Sequence, residues 1–235
     1  MQHAGVRRLV LGATVIVLTL VTLLLYPRVP KMVGGKGYIA ACPGERVSIE
    51  VDYRVRSLLR FSPPTTARFD DGSVAIAIVR ALQPKRMSKR GSLQLEVIMP
   101  SATGCYHLSE LEVRSPGEWV STIPVDILLD VQESPPGYLT LIHREATVLA
   151  EENLVQQILC RNTSSVEIEI VATRTNASHY LDSSITVGPG KEVGIPVDLA
   201  ADAGNTWVRP WVLFKTAAGE ELQIPGINFY VRSTR

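Results

Sequence analysis

Cysteine, histidine and aromatic side chains are all scarce in this chain. Its three cysteines, Cys42, Cys105 and Cys160, cannot all pair within one molecule. Neither a disulfide-dense scaffold nor paired CxxC zinc spacing is present. The four histidines (His3, His107, His143, His179) are scattered, and no G-x-S-x-G or H-E-x-x-H stretch occurs, so no catalytic signature is visible. Gly34-Gly35-Lys36-Gly37 is too short for a phosphate loop, and no cofactor motif is found. Charge of one sign is also lacking: the net charge of +1 argues against nucleic acid as the main partner. There is no long polar tract to indicate disorder.

What the chain does have is one long apolar run, Leu9 to Tyr26, uncharged, opened by Arg7-Arg8 and closed by Pro27. Eighteen helical residues rise about 27 Å, close to the roughly 30 Å of a hydrocarbon core. Its threonines can bond back to their own helix. No small-residue cleavage site follows the run, so an uncleaved signal-anchor is favoured over a signal peptide. Ile39-Ala40-Ala41-Cys42 looks like a lipobox but is set apart from the run by a polar stretch. The expectation is a single-pass inner-membrane protein, anchored through Leu9 to Tyr26, with a cytoplasmic head and the bulk of the chain extracytoplasmic. Positive charge lies on both sides of the run, so the positive-inside count is nearly even. The orientation rests on the short head and the strand-rich tail.

After the run, alternation with period two dominates. Val47, Ile49, Val51, Tyr53 and Val55 alternate with polar residues, as do Leu93, Leu95, Val97 and Met99. Val166, Ile168, Ile170 and Ala172 repeat the pattern, and so do Val193, Ile195, Val197 and Leu199. Between such runs stand Pro43-Gly44, Asp71-Gly72, Pro116-Gly117, Pro136-Gly137 and Pro189-Gly190. In a type II turn proline presets φ at one corner and glycine accepts positive φ at the next. Short strands with frequent turns mean a sandwich or barrel. A long loop is expected from Ser57 to Gly72, and strand or loop in the weakly helical stretch Ala146 to Leu154. Ser134-Pro135-Pro136-Gly137 marks a boundary.

The two halves echo each other. Leu111–Val131 and Val212–Val231 each run from a strand through a basic residue and a Gly-Glu turn to Ile-Pro and a closing strand, which suggests tandem duplication. Pro124 and Pro225 cannot donate to a ladder and should lie at an edge or bulge. Residues 28–131 hold 14 Lys and Arg against 11 Asp and Glu, and residues 132–235 hold 8 against 12. The first half is therefore mildly basic and the second acidic.

Asn162-Thr163-Ser164, the alternating strand Val166 to Ala172, and Ile185-Thr186-Val187-Gly188-Pro189-Gly190-Lys191 leading into Val193 to Leu199 form a pattern. It resembles immunoglobulin-like sandwiches of the hydin and major-sperm-protein type, most closely their bacterial envelope relatives of unknown function. The likeness covers mainly residues 154–231. It implies a seven-stranded sandwich with a binding or scaffolding role and no reaction. Many such relatives carry Cys-x-Cys after the alternating strand; here Thr175-Asn176-Ala177-Ser178-His179 has no cysteine, so no metal or redox role follows. The expected fold is all-β: an N-terminal transmembrane helix followed by two immunoglobulin-like β-sandwiches. The divisions are a head (1–8), a span (9–26), a linker (27–37) and sandwiches at 38–133 and 134–235.

Few residues stand out as a site. Cys105 and His107 are two apart on a strand and could face a soft metal, but a second histidine and a methionine are missing nearby. Cys42 and Cys105 could form one disulfide, against the plainer reading of idle thiols. Cys160 is in phase with Ile158 on an inner face. Lys85, Arg86, Lys89 and Arg90 form the densest basic cluster, either a contact for an anionic partner or a solvated hairpin tip. Asn162 and Asn176 fit the glycosylation acceptor pattern but read more simply as turn residues. The function expected is non-enzymatic binding or scaffolding of another envelope protein, with no cofactor. The alternatives are a membrane-tethered assembly factor or metal-handling chaperone, and a hydrolase whose triad is hidden in the fold.

Overall fold

The computed structural model describes residues 14–21, 31–32, 36–54, 65–69, 74–82, 90–115, 119–143, 145–149, 154–176, 179–181, 183–200 and 206–232. Among these, one helix, α1 (14–21), precedes nineteen strands. In the first half these are β1 (Lys31–Met32), β2 (Lys36–Ala41), β3 (Arg46–Arg54), β4 (Thr66–Phe69), β5 (Ala75–Leu82), β6 (Arg90–Ile98), β7 (Gly104–Ser115) and β8 (Trp119–Val131). Then come β9 (Leu139–Leu141), β10 (Glu145–Leu149), β11 (Val155–Asn162), β12 (Ile168–Arg174), β13 (His179–Tyr180) and β14 (Ile185–Val187). Last are β15 (Glu192–Asp198), β16 (Thr206–Arg209), β17 (Trp211–Thr216), β18 (Glu221–Pro225) and β19 (Asn228–Arg232).

The expected membrane anchor is not what the structure shows. Among the described residues helix α1 covers eight, a rise of about 12 Å, against the roughly 30 Å of a hydrocarbon core. Among the described residues no helix is long and apolar enough to cross a membrane. The transmembrane signal-anchor, and with it the inner-membrane single-pass placement, is therefore corrected; residues 9–13 and 22–26 of the run lie outside the described residues. Within α1, Thr19 Oγ1 donates to the Val15 carbonyl at 2.7 Å, the back-bond anticipated for a threonine in a helix.

The all-β reading of the remainder holds. Strands β1, β3, β6 and β5 form one sheet in that order, and β2, β8, β7 and β4 stand side by side in another. Lettered along the chain from A (β1) and A′ (β2) to G (β8), these are ABED and A′GFC, the immunoglobulin arrangement. Between the layers lie Val47, Ile49, Val51, Leu93, Leu95 and Val97 from one sheet and Leu108, Leu111, Ile123, Ile127 and Leu129 from the other, all buried. The second half repeats the plan. Strands β9, β11 and β15 form one sheet, and β12, β17 and β18 with β13 form the other. Strand β10 crosses to pair in parallel with β19, so Ala146 to Leu149 is strand, as expected. Ile158, Cys160, Ile168, Ile170, Ile195, Val197 and Phe214 fill its core.

Local chemistry explains most boundaries. Gly44, Gly137 and Gly190 follow prolines and sit at φ of 72°, 93° and 70°, the positive values a type II turn requires. Pro124 lies beside a register shift between β7 and β8. Pro225 ends β18, where Gly226 N–H bonds the Pro210 carbonyl at 2.8 Å and both hairpin strands break. Both prolines thus occupy irregularities, as a residue without an N–H must. Three expectations need amendment. Strand β4 lies inside the stretch read as a loop, its Phe69 buried and its Arg68 outside. Strand β12 starts at Ile168, leaving Val166 exposed, because the Val166 carbonyl is turned to Asn162. Strands β1 and β2 fall within or begin in the segment read as a linker.

Candidate functional site

The polar chemistry of the molecule gathers where the two sandwiches meet, and β2 builds that meeting. It pairs in parallel with β8 on one side and with β16 on the other. The A′GFC sheet thereby continues into the second sandwich as seven strands, β10-β19-β16-β2-β8-β7-β4. Backbones approach closely there: a Cβ on Gly37 would stand 3.0 Å from the Trp207 carbonyl oxygen. Beyond Pro210, β17 leaves this sheet for the outer face of the first sandwich. Trp211, fully buried, joins Tyr38 and Ala40 in one cluster flanked by Leu128 and Leu213.

At the centre of this face is Asp130, only 6% exposed. Its Oδ2 accepts from the Tyr38 hydroxyl at 2.6 Å and from Trp211 Nε1 at 2.9 Å. Its Oδ1 accepts from Gln132 Nε2 at 2.8 Å. Arg174 Nη2 stands at 3.5 Å from Oδ2 and 3.3 Å from Gln223 Oε1, and Gln223 in turn donates to Gln132. A buried carboxylate is costly unless paired and hydrogen-bonded; this one is met by donors from both sandwiches. Burial, then Asp130 itself, raises the Tyr38 phenol well above its ordinary value, so it stays a donor.

Further links flank this centre. Arg209 Nη2 bonds Glu45 at 2.7 Å and Arg209 Nε bonds the Gly226 carbonyl at 2.9 Å. Glu45 also accepts from the Cys42 N–H. On the edge of β3, Trp207 Nε1 donates to the Glu50 carbonyl at 2.8 Å and Asn228 Nδ2 to the Ser48 carbonyl at 3.1 Å. Trp207 stacks on Tyr230 at 4.7 Å between ring centroids, and both rings belong to the first sandwich's core.

The residues singled out in the sequence fall around this junction. Cys105 lies opposite Asp130 and His107 opposite Leu128 on the adjacent strand, so thiol and imidazole do share a face. His107 Nε2 pairs with Asp126 at 2.9 Å, both 60% exposed. Partial desolvation, then Asp130, raises the Cys105 thiol, the opposite of what a nucleophile or thiolate ligand needs. Among the described residues no group of three His, Cys, Asp or Glu could hold a metal ion.

All three cysteines are free thiols. Cys42 follows β2 and Cys105 lies on β7, with β8 between them. Two strand spacings separate them by about 10 Å, beyond the roughly 7 Å that a disulfide tolerates, so the arrangement fits the idle-thiol reading rather than the bridge weighed against it. Ile39, Ala40 and Ala41, the residues ahead of Cys42 in the lipobox-like stretch, are buried in the central strand. Cys160 is core, as expected. Of the basic cluster, Lys85, Arg86 and Lys89 lie outside the described residues, and Arg90 opens β6 opposite Arg54. Asn162 is no glycan acceptor: fully buried, its Nδ2 donates to the Val166 and Val187 carbonyls, each at 2.9 Å.

No protein-family model matches the sequence, and no curated protein matches it. Among solved structures, a protein of unknown function from Porphyromonas gingivalis W83 aligns over 86% of this chain and 99% of its own, at 14% identity and a TM-score of 0.27. Fibronectin(III)-like modules of Clostridium thermocellum CbhA align over 88% of this chain and 96% of theirs, at 15% identity and a TM-score of 0.29. Extracellular cadherin domains 1–4 of protocadherin gamma B7 align over 87% of this chain and 51% of theirs, at 8% identity and a TM-score of 0.30. TM-scores this low assign neither a function nor a common domain arrangement. The hydin and major-sperm-protein resemblance accordingly narrows to the immunoglobulin-type sandwich, which the strand order carries.

Asp130 and β2 were missed in the sequence, yet a signal exists. Tyr38-Ile39-Ala40-Ala41 and Ile127-Leu128-Leu129 do not alternate. A strand apolar on both faces is covered on both faces.

Proposed function

We propose that this chain is a non-enzymatic binding or scaffolding protein that presents its two immunoglobulin-type sandwiches as one fixed body. The observation that carries the reading is Asp130, a buried carboxylate spent on holding Tyr38 of one sandwich to Trp211 of the other. A catalytic carboxylate is left facing a cleft with its capacity free for substrate; this one is filled by the protein's own donors. A scaffold acts through the spacing and angle of its outer surfaces, and such a junction sets both.

The test is recovery of a stoichiometric partner from the source cells by the full chain, compared across variants. Cys105→Ser and His107→Ala should leave recovery and stoichiometry unchanged. Gly37→Val, which wedges β2 from β16, should abolish recovery. Loss with Cys105→Ser or His107→Ala would overturn the reading in favour of chemistry at that face.

A further inference from the structure

We propose that the two sandwiches form a single cooperative unit, and that Asp130 is the positioning residue that couples them. The coupling goes beyond a scaffolding role and holds whatever the partner is. Tandem sandwiches ordinarily meet through modest polar contacts and move relative to one another. Here three features remove that freedom.

First, β16 is incomplete within its own sandwich. Its neighbours are β19 and β2, while the C-position strand β12 pairs with β13, β14 and β17 and, among the described residues, not with β16. Parting the sandwiches would strip β16 of one of its two ladders. Second, the cores interpenetrate. Trp207 and Tyr230 of the second sandwich are counted among the first one's core, and Trp211 is buried against Tyr38 and Ala40. Separation would expose three large rings at once.

Third, the ion pairs across the junction run one way. Asp130 and Glu45 come from the first sandwich, and Arg174 and Arg209 from the second. That is the reverse of the surplus carried by each half, which is basic in residues 28–131 and acidic in 132–235.

Asp130 is the hub because its acceptors serve both sides. Four side chains converge on it within 3.5 Å, two from each sandwich. Asparagine in its place keeps the volume but presents an NH2 group to a ring of donors. Tyr38, Trp211 and Gln132 would then compete for one amide oxygen, so the junction loosens without a cavity.

The experiment is residue-resolved amide hydrogen exchange on the full chain across a denaturant series. Leu95 and Leu111 report the first core, Ile170 and Phe214 the second. In the wild type both sets should merge into one opening, and Ile168→Ala, a change confined to the second core, should lower protection of both by about thirtyfold or more. In Asp130→Asn the sets should separate, and Ile168→Ala added to it should lower the second set alone. Trp211→Phe, which removes one donor and keeps the ring packed, serves in place of Asp130→Asn if that variant does not fold. Two results overturn the proposal. One is an Ile168→Ala effect in the wild type that stops at the second core. The other is an effect that still reaches the first core at full size once Asp130 or Trp211 is changed.

Discussion

Ile168 and Glu169 are neighbours in sequence with opposite environments. Ile168 is 1% exposed in the second core, and Glu169 faces outward beside Lys215, which pairs with Glu221 at 2.9 Å. Ile168→Ala should cost about 2–5 kcal/mol of stability, and Glu169→Ala about 0.5 kcal/mol or less. Denaturant midpoints of the full chain give the comparison, and equal costs would contradict the register of β12.

Cys160 sets a second expectation. Burial pushes its thiol up to about 12 from an ordinary 9.0. The folded state keeps the proton where the unfolded chain has begun to lose it. The stability contributed is intact below the unfolded value and declines as pH rises from about 9 toward 12, by about 1.4 kcal/mol per pH unit. Cys160→Val should remove that part of the alkaline slope in urea melts, while the part due to Tyr38 persists. An unchanged slope would mean that the thiol is not protected by burial.

Among the elements, β2 is the most sensitive. Its Gly37 sits against the Trp207 backbone with no room for a side chain. Gly37→Ala should lower the melting midpoint and increase tryptophan exposure to a quencher, and Gly37→Val should do so more strongly; quenching unchanged in both would contradict the β2–β16 pairing. Elements whose order is written locally were legible in the sequence. The alternation of Val47 to Val51 and Leu93 to Met99, and the Pro-Gly corners, each depend on residues within one or two strands of each other. Strand β4 was not legible, because four residues give too little alternation to stand out between the turn signals Pro63-Pro64 and Asp71-Gly72. The role of β2 was not legible either. Its partner β16 lies about 170 residues further along the chain, and no local propensity encodes a pairing at that separation. The apolar run at Leu9 to Tyr26 read as a span because its length and hydrophobicity match a hydrocarbon core, whereas the described helix covers residues 14–21 of it. Asp130 was not singled out, because the non-alternating Ile127-Leu128-Leu129 beside it marks β8 as covered on both faces without saying by what.

For the molecule as a whole, the junction makes residues 134–235 a poor fragment. Expressed alone they lack β2, the Glu50 and Ser48 carbonyls that receive Trp207 and Asn228, and the face that covers Trp211. Such a fragment should bind a hydrophobic dye and show weak near-ultraviolet dichroism where the full chain does neither. A fragment with native-like tryptophan signals would show that the second sandwich closes its surface unaided.

The continuous sheet also bears on how the protein engages anything larger than itself. Two modules on a flexible tether gain avidity through an effective concentration that depends on tether length, and they lose entropy when both are held. With β2 shared between the sandwiches there is no tether to restrain. A target with two epitopes at the spacing set by the seven-stranded sheet would be held at both without that loss, and a target with any other spacing could be gripped at only one. On the scaffolding role proposed above, the strand that joins the sandwiches would act as a ruler, selecting a ligand by distance before any side chain is read.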